Sequence, residues 1–211
     1  KIRIIDQTQL PNKLVYLNLC SLKEVGEAIR SLRIRGAPAI GLAAALGVAL
    51  EMNQSSAKNY SQFREELKKA TKKLSATRPT AVNLFWGLKR MEKVLPTPHP
   101  SPTSGEGKRE GGNSHIIKLK KLLLNEALLM LKEDDETCRK IGRYGASLIK
   151  NNSKIFTHCN AGGLATSGFG TALGVLFAAQ EQGKKLFVYV DETRPLLQGA
   201  RLTTWELKKQ K

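Results

Sequence analysis

The sequence is poor in cysteine, histidine, aromatic side chains and acidic charge, and each shortage narrows the field. Its three cysteines, Cys20, Cys138 and Cys159, lie far apart with no C-x-x-C pair among them. That speaks against a disulfide framework and a thiolate zinc site, and suits a reducing cytoplasm. Of the three histidines, His99 and His115 fall in or beside a polar stretch that offers no other metal ligand pattern. The uncharged apolar run at residues 36–50 holds three glycines and is too short to span a bilayer. Nothing at the N-terminus reads as a signal peptide, and the absence of an initiating methionine before Lys1 leads us to expect missing N-terminal sequence.

Acidic residues number 18 against 35 Lys and Arg, for a net charge of +17. Such an excess suits nucleic acid, an anionic membrane or a phosphorylated ligand. The basic residues mostly alternate with acids at helical spacing, as in "REELKKATKKL", which is the pattern of a solvated helix face. No zinc-finger spacing or aromatic-basic motif supports nucleic acid.

What the chain does have is enough apolar residue, 41% of 211, for one substantial core or two modest ones. The first half reads as helices. "SLKEVGEAIRSL" opens with a capping box, Ser21 and Glu24, and sets Val25, Ala28, Ile29 and Leu32 on one stripe. Pro38 suits the first turn of a helix over "APAIGLAAALGVALEM", apolar nearly all round and therefore buried. "SQFREELKKATKKL" and "TAVNLFWGLKRMEKV" follow as amphipathic helices. Residues 96–114 carry four prolines and four glycines and no apolar anchor, so a loop or insertion without fixed structure is expected there. Helical spacing resumes from Ile116 to Lys150, read as two helices. Then "KIFTHC" and "KLFVYVDE" read as strands flanking a helix over "TALGVLFAAQEQG", the unit of a parallel sheet, and a last helix starts at Leu196. Two strands are too few for a doubly wound sheet.

Ligands of open α/β sheets sit beyond the carboxyl ends of the strands. Cys159 and residues 191–198 occupy two such ends. A thiol near a helix N-terminus gains thiolate character, so Cys159 reads as a base or nucleophile, or alternatively as a small buried hydrophobe. His158 is its neighbour, but adjacent strand residues point to opposite faces, so it reads as a packed or hydrogen-bonded residue and not as a dyad partner. "GFGTALG" misses the G-x-G-x-x-G fingerprint by one position. Its glycines suit either close approach to a small ligand or tight backbone packing. Two arginine-led turns, "RIRGAPAIG" and "TRPTAVNL", stand just before helix starts, where a guanidinium and free N–H groups hold a phosphate together.

Taken in order, "IIDQTQLP", "IRGAPAIGLAAALGVAL", "RPTAVNLFWGLKRM", "THCNAGGLATSGFGTALGV" and "VDETRPLLQGARLTTWEL" resemble the methylthioribose-1-phosphate isomerase family of the initiation-factor-2B-like superfamily. The resemblance implies an α/β fold with a helical N-terminal domain, residues 1–150, and a Rossmann-like parallel-sheet domain that starts at 151 and is incomplete in this chain. It implies a cytoplasmic, metal-independent homodimer that converts 5-methylthio-D-ribose 1-phosphate to 5-methylthio-D-ribulose 1-phosphate in methionine salvage, without cofactor. Carried over by residue, Arg35, Gly36 and Ala37 match the family's substrate-contacting Arg-Gly-Ala, Arg78 its Arg-Pro-Thr arginine, Gln198 its substrate-touching glutamine, and Cys159 its catalytic cysteine. The family's acid aspartate and an Asn-Lys pair fall past the point matching Lys211. The 211 residues alone are accordingly expected to fold poorly and to lack isomerase activity. Two other readings fit the superfamily: a ribose 1,5-bisphosphate isomerase, which needs cationic groups for a second phosphate, and a non-catalytic regulatory protein like the translation-factor subunits.

Overall fold

The structure, a computed structural model, describes residues 1–96 and 113–210. The expected insertion at 96–114 and His99 fall almost wholly outside the described residues.

The chain begins with a hairpin that helical periodicity did not announce. Strands β1 (Ile2–Ile5) and β2 (Tyr16–Leu19) pair antiparallel, with Ile2 opposite Leu19 and Ile5 opposite Tyr16. Four residues each are too few to register as alternation beside long helical segments.

Helix α1 (Leu22–Arg30) starts as its capping residues dictate: Ser21 accepts from the Glu24 N–H at 3.2 Å, and Glu24 reaches back to the Cys20 N–H. Helix α2 (Ala37–Asn53) has Pro38 in its first turn, and ten of its residues are buried. Around it pack α1, α3 (Tyr60–Ser75) and α4 (Val82–Lys93). Val25, Ile29, Val48, Phe63, Leu84 and Met91 are fully enclosed in this core.

Where two helices were expected after residue 115, there is one. Helix α5 runs unbroken from Asn113 to Leu148, 36 residues, or about 54 Å. No proline interrupts it, and it packs on α2 with one part and on α6 (Ala172–Glu181) with another.

Beyond α5 the expected strand-helix-strand unit forms. β3 (Ser153–His158) and β4 (Leu186–Asp191) pair parallel, in register from Ser153 opposite Leu186 to His158 opposite Asp191. α6 is their crossover. Among the described residues the sheet has these two strands. After β4 the last helix begins later than its apolar residues suggested: a turn is followed by a wide π-type segment, Gly199–Thr203, and only then by α7 (Thr204–Lys209). The chain is thus a mostly helical α/β fold with a small parallel sheet. Leu10, Leu164 and Leu202, with Ile5 and Trp205 against them, tie the hairpin to the C-terminal segment.

Candidate active site

β3 stops at His158, and the chain turns sharply at Cys159, whose φ of +60° is the left-handed region. For a non-glycine residue that conformation is held by its surroundings. Thr203 Oγ1 donates to the Cys159 carbonyl at 2.5 Å. The Cys159 side chain is half-buried. His158 is exposed, not packed as the sequence suggested, because the strand's alternation turns Thr157 inward and His158 out. Nor does a regular helix begin directly behind the thiol: a single 3-10 turn at Gly163–Ala165 comes first, and α6 starts at Ala172. Cys138, by contrast, is the buried hydrophobe, its thiol pushed up by burial.

Arg35 leads the turn into α2. Its guanidinium lies beside the Cys159 side chain and near the Glu206 carboxylate, and burial is the main cause of its lowered pKa, with Arg78 acting the same way. Arg35 Nη1 is shielded from solvent and has no hydrogen-bond partner among the described residues. Two arginines that repel each other around an unpaired buried N–H form a local positive site. Both helices they precede also lack a side-chain cap: Gly36 stands at the start of α2 and Ala81 at the start of α4. Their first N–H groups are therefore open to an anion. Arg33, two residues away, is used differently, paired with buried Asp6 and with Glu27.

Gly36 is required where it stands. Its φ is +92°, and a Cβ there would lie 2.5 Å from Ala165 Cα. This contact brings the α1–α2 turn against the loop that follows Cys159. Ala37, the first residue of α2, is exposed. Gln198 is half-buried above the end of β4, and its N–H donates to Thr193 Oγ1 at 3.1 Å. The structure thus brings Arg35, Gly36, Arg78 and Cys159 together, and sets Gln198 at the neighbouring strand end. Glu192, at the same strand end, is engaged in holding the next turn: it accepts from the N–H groups of Thr193, Gly199 and Ala200.

Sequence reading missed Asn160, Thr203 and Glu206. Glu206 is buried, accepts from Asn160 Nδ2 at 2.7 Å and from the Leu164 N–H at 3.3 Å, and burial pushes its carboxyl above the usual range. In "TTWELKK" it looks like one more surface charge; the only hint is its place between Trp205 and Leu207. A cavity of about 590 Å³ lies on the other side of this loop, lined by Ile4, Leu42, Leu164, Phe177 and Trp205 with Glu206 at its wall. Neither Cys159 nor Arg35 lines it, so the chemistry-bearing groups and the roomy apolar cavity are separate places.

Residues 33–211 match the model of the Initiation factor 2 subunit family. The chain belongs to that family. Over 209 residues it is 48% identical to a methylthioribose-1-phosphate isomerase of Geobacter sulfurreducens, a match covering 99% of this chain and 57% of that relative. Two solved structures superpose well: a 5-methylthioribose 1-phosphate isomerase of Pyrococcus horikoshii (39% identity, TM-score 0.84, 98% of this chain and 54% of that one) and a protein of A. fulgidus described as translation initiation factor eIF-2B, subunit delta (43% identity, TM-score 0.83, 98% and 56%). The chain spans little more than half the length of the family members it matches. Among the described residues no group of three or more His, Cys, Asp or Glu could hold a metal ion, and no helix is long and apolar enough to cross a membrane.

Proposed function

We propose that the protein to which this chain belongs is a sugar-phosphate aldose-ketose isomerase acting on 5-methylthio-D-ribose 1-phosphate, and that this chain carries the phosphate-binding and cysteine side of its site. The observation that carries the reading is the buried, unpaired Arg35 Nη1 beside the Cys159 thiol, with Arg78 close by. Arg35, Arg78 and the open N–H groups around Gly36 and Ala37 bind the phosphate, Gln198 reaches the sugar from the β4 end, and Cys159 faces the reacting carbons.

The reaction needs a proton on the ring oxygen as the bond from C1 to that oxygen breaks, then transfer of hydrogen from C2 to C1. In an enediol route Cys159 takes the C2 proton, the electron pair forms an enediol phosphate, and the same proton returns to C1 while the C2 hydroxyl gives its proton to the group that protonated the ring oxygen, leaving a ketone at C2. In a hydride-shift route the C2 hydrogen moves directly to C1 and Cys159 only stabilises the transition state. Arginines on the phosphate offset the charge that develops. By the family resemblance the acid is an aspartate past the position of Lys211, so the 211 residues alone should not turn the sugar phosphate over. The same reading takes residues 1–150 as the helical domain and the segment from 151 as the sheet domain, and the whole protein as a cytoplasmic homodimer.

Millimolar 5-methylthioribose 1-phosphate should slow alkylation of Cys159 by iodoacetamide, read by peptide mass spectrometry with exposed Cys20 as the internal control. Arg35→Ala should weaken that protection about tenfold or more. Equal alkylation with and without the sugar phosphate would remove the basis of the proposal. A regulatory, non-catalytic reading is favoured by the name of the A. fulgidus neighbour; it predicts no protection at all. Ribose 1,5-bisphosphate protecting better than the methylthio sugar would instead favour the bisphosphate isomerase.

A further inference from the structure

Among the described residues Glu206 is a buried carboxylate next to the site that the reaction does not use. Its position is built, not incidental. Oε1 accepts from Asn160 Nδ2 at 2.7 Å, Oε2 accepts from the Leu164 N–H at 3.3 Å, and the same Asn160 amide donates to Thr203 Oγ1 at 3.2 Å. Thr203 in turn donates to the Cys159 carbonyl. The carboxylate also lies so close to the backbone that a Cβ on Gly162 would meet both of its oxygens at 2.5 Å. The loop from Cys159 to Leu164 is wrapped on this one side chain.

Its charge acts on the site as well. Glu206 lies in the field of Arg35, the arginine whose Nη1 has no partner of its own. The two do not form a direct ion pair among the described residues. The carboxylate therefore lowers the positive potential at Arg35 without occupying the guanidinium fork.

We propose that Glu206 is a built-in counter-anion of the phosphate site: locked beneath the Cys159 turn, it offsets Arg35 and sets how strongly the site holds a dianion. This rests on the reading of Arg35 and Arg78 as a phosphate site. When the carboxylate is charged, an incoming phosphate meets a partly neutralised arginine; when it is protonated, the whole of the Arg35 charge is available. The charged group acting on Glu206 is Arg35 from the α1–α2 turn, which also neighbours Cys159, and Arg3 of β1 and Lys209 of α7 line the cavity that has Glu206 at its wall. The cations stay charged between about pH 5 and pH 8. Burial raises the Glu206 carboxyl above the usual carboxylate range, so lowering the pH moves it towards its neutral form.

The test uses sulfate, which stays a dianion throughout, and 4,4′-dithiodipyridine, which reacts with thiols in acid as well as neutral solution. The sulfate concentration that half-protects Cys159 is read at about pH 5 and about pH 8, with Cys20 as control. In the unaltered chain sulfate should protect better at the lower pH. Glu206→Gln should protect at a concentration at least about tenfold lower at pH 8 and lose the pH dependence. The new amide can donate to Asn160 Oδ1, which is buried without a partner, once the Asn160 side chain turns over, at the cost of the Asn160–Thr203 hydrogen bond. Arg35→Ala should abolish protection at both pH values.

An unaltered chain that sulfate protects better at the higher pH overturns the inference without needing any variant to fold, and so does a Glu206→Gln chain that needs as much sulfate at the higher pH as the unaltered one. So does a Glu206→Gln protein that keeps the original pH dependence. If sulfate protects Cys159 at neither pH, the phosphate-site reading falls, and this inference with it.

Discussion

At the scale of single residues, Gly36 shows how a site is assembled by what is missing. A side chain there would meet Ala165 at 2.5 Å in a left-handed backbone, φ +92°. Gly36→Ala should cost about 2–4 kcal/mol, the sum of an unfavourable φ and an overpacked contact, measured by urea denaturation. It should also loosen the approach of Arg35 to Cys159. Insensitivity of stability to this change would mean the α1–α2 turn can retreat from the 163–165 loop. The sequence made Gly36, Arg35, Arg78 and Cys159 legible as candidates because glycine, arginine and cysteine at element ends carry chemical meaning by type. It did not make Glu206 or Asn160 legible, because their role depends on burial, and burial of a single polar residue leaves no periodicity.

At the scale of elements, two contacts decide how segments join. Glu192 accepts from three N–H groups around the start of the terminal turn, chiefly that of Thr193, and these bonds hold its carboxyl below the usual range. A carboxylate with a lowered folded pKa contributes stability above its unfolded value of about 4.3. That contribution is lost as pH falls through the folded value. Glu192→Gln should therefore flatten the acid limb of the stability-pH curve relative to the unaltered chain, as followed by circular dichroism. An unchanged acid limb would assign acid sensitivity to other groups. Arg90 joins α4 to α5 through Glu126 and Glu133 and stays about a quarter exposed. Arg90→Leu should cost about 1 kcal/mol in dilute buffer and less as salt screens the network, again by denaturant titration. A loss that salt leaves unchanged would mean the arginine acts through packing of its stem. The helices themselves were readable in advance because their apolar spacing is long and regular. The β1–β2 hairpin and the unity of α5 were not, since four-residue strands carry too little pattern and nothing local distinguishes one long helix from two abutting ones.

For the whole molecule, the parallel sheet has one covered and one open face. Ile155, Leu186 and Val188 point into the cover given by α6, while Phe156, Phe187 and Tyr189 are 70%, 59% and 40% exposed, Phe156 stacking on Tyr189 and Phe187 lying tilted against it. A groove of about 890 Å³ also runs along β4 between α6 and α7. Exposed aromatic surface of this kind favours dye binding and association. The 211-residue chain should bind anilinonaphthalene sulfonate while native and should elute earlier from a sizing column as concentration rises. Replacing Phe156 and Phe187 with threonine should reduce both effects. A monomer that stays dark with the dye across concentrations would contradict the exposed face.

The sequence by itself determined the helical first part, the strand-helix-strand unit and the family, because hydrophobic period and long contiguous motifs are local properties that survive without coordinates. Which residues could bear charge or a reactive thiol was likewise written in their types. Only the tertiary structure decided that half-buried Arg35 holds a shielded, unpaired Nη1 beside Cys159, that Arg33 is spent on Asp6 and Glu27, that His158 faces solvent, and that Glu206 is buried beneath the cysteine turn. These depend on contacts between segments from a few to more than a hundred residues apart. Whether a charge is solvated, paired or buried is set by which distant surface comes to lie against it.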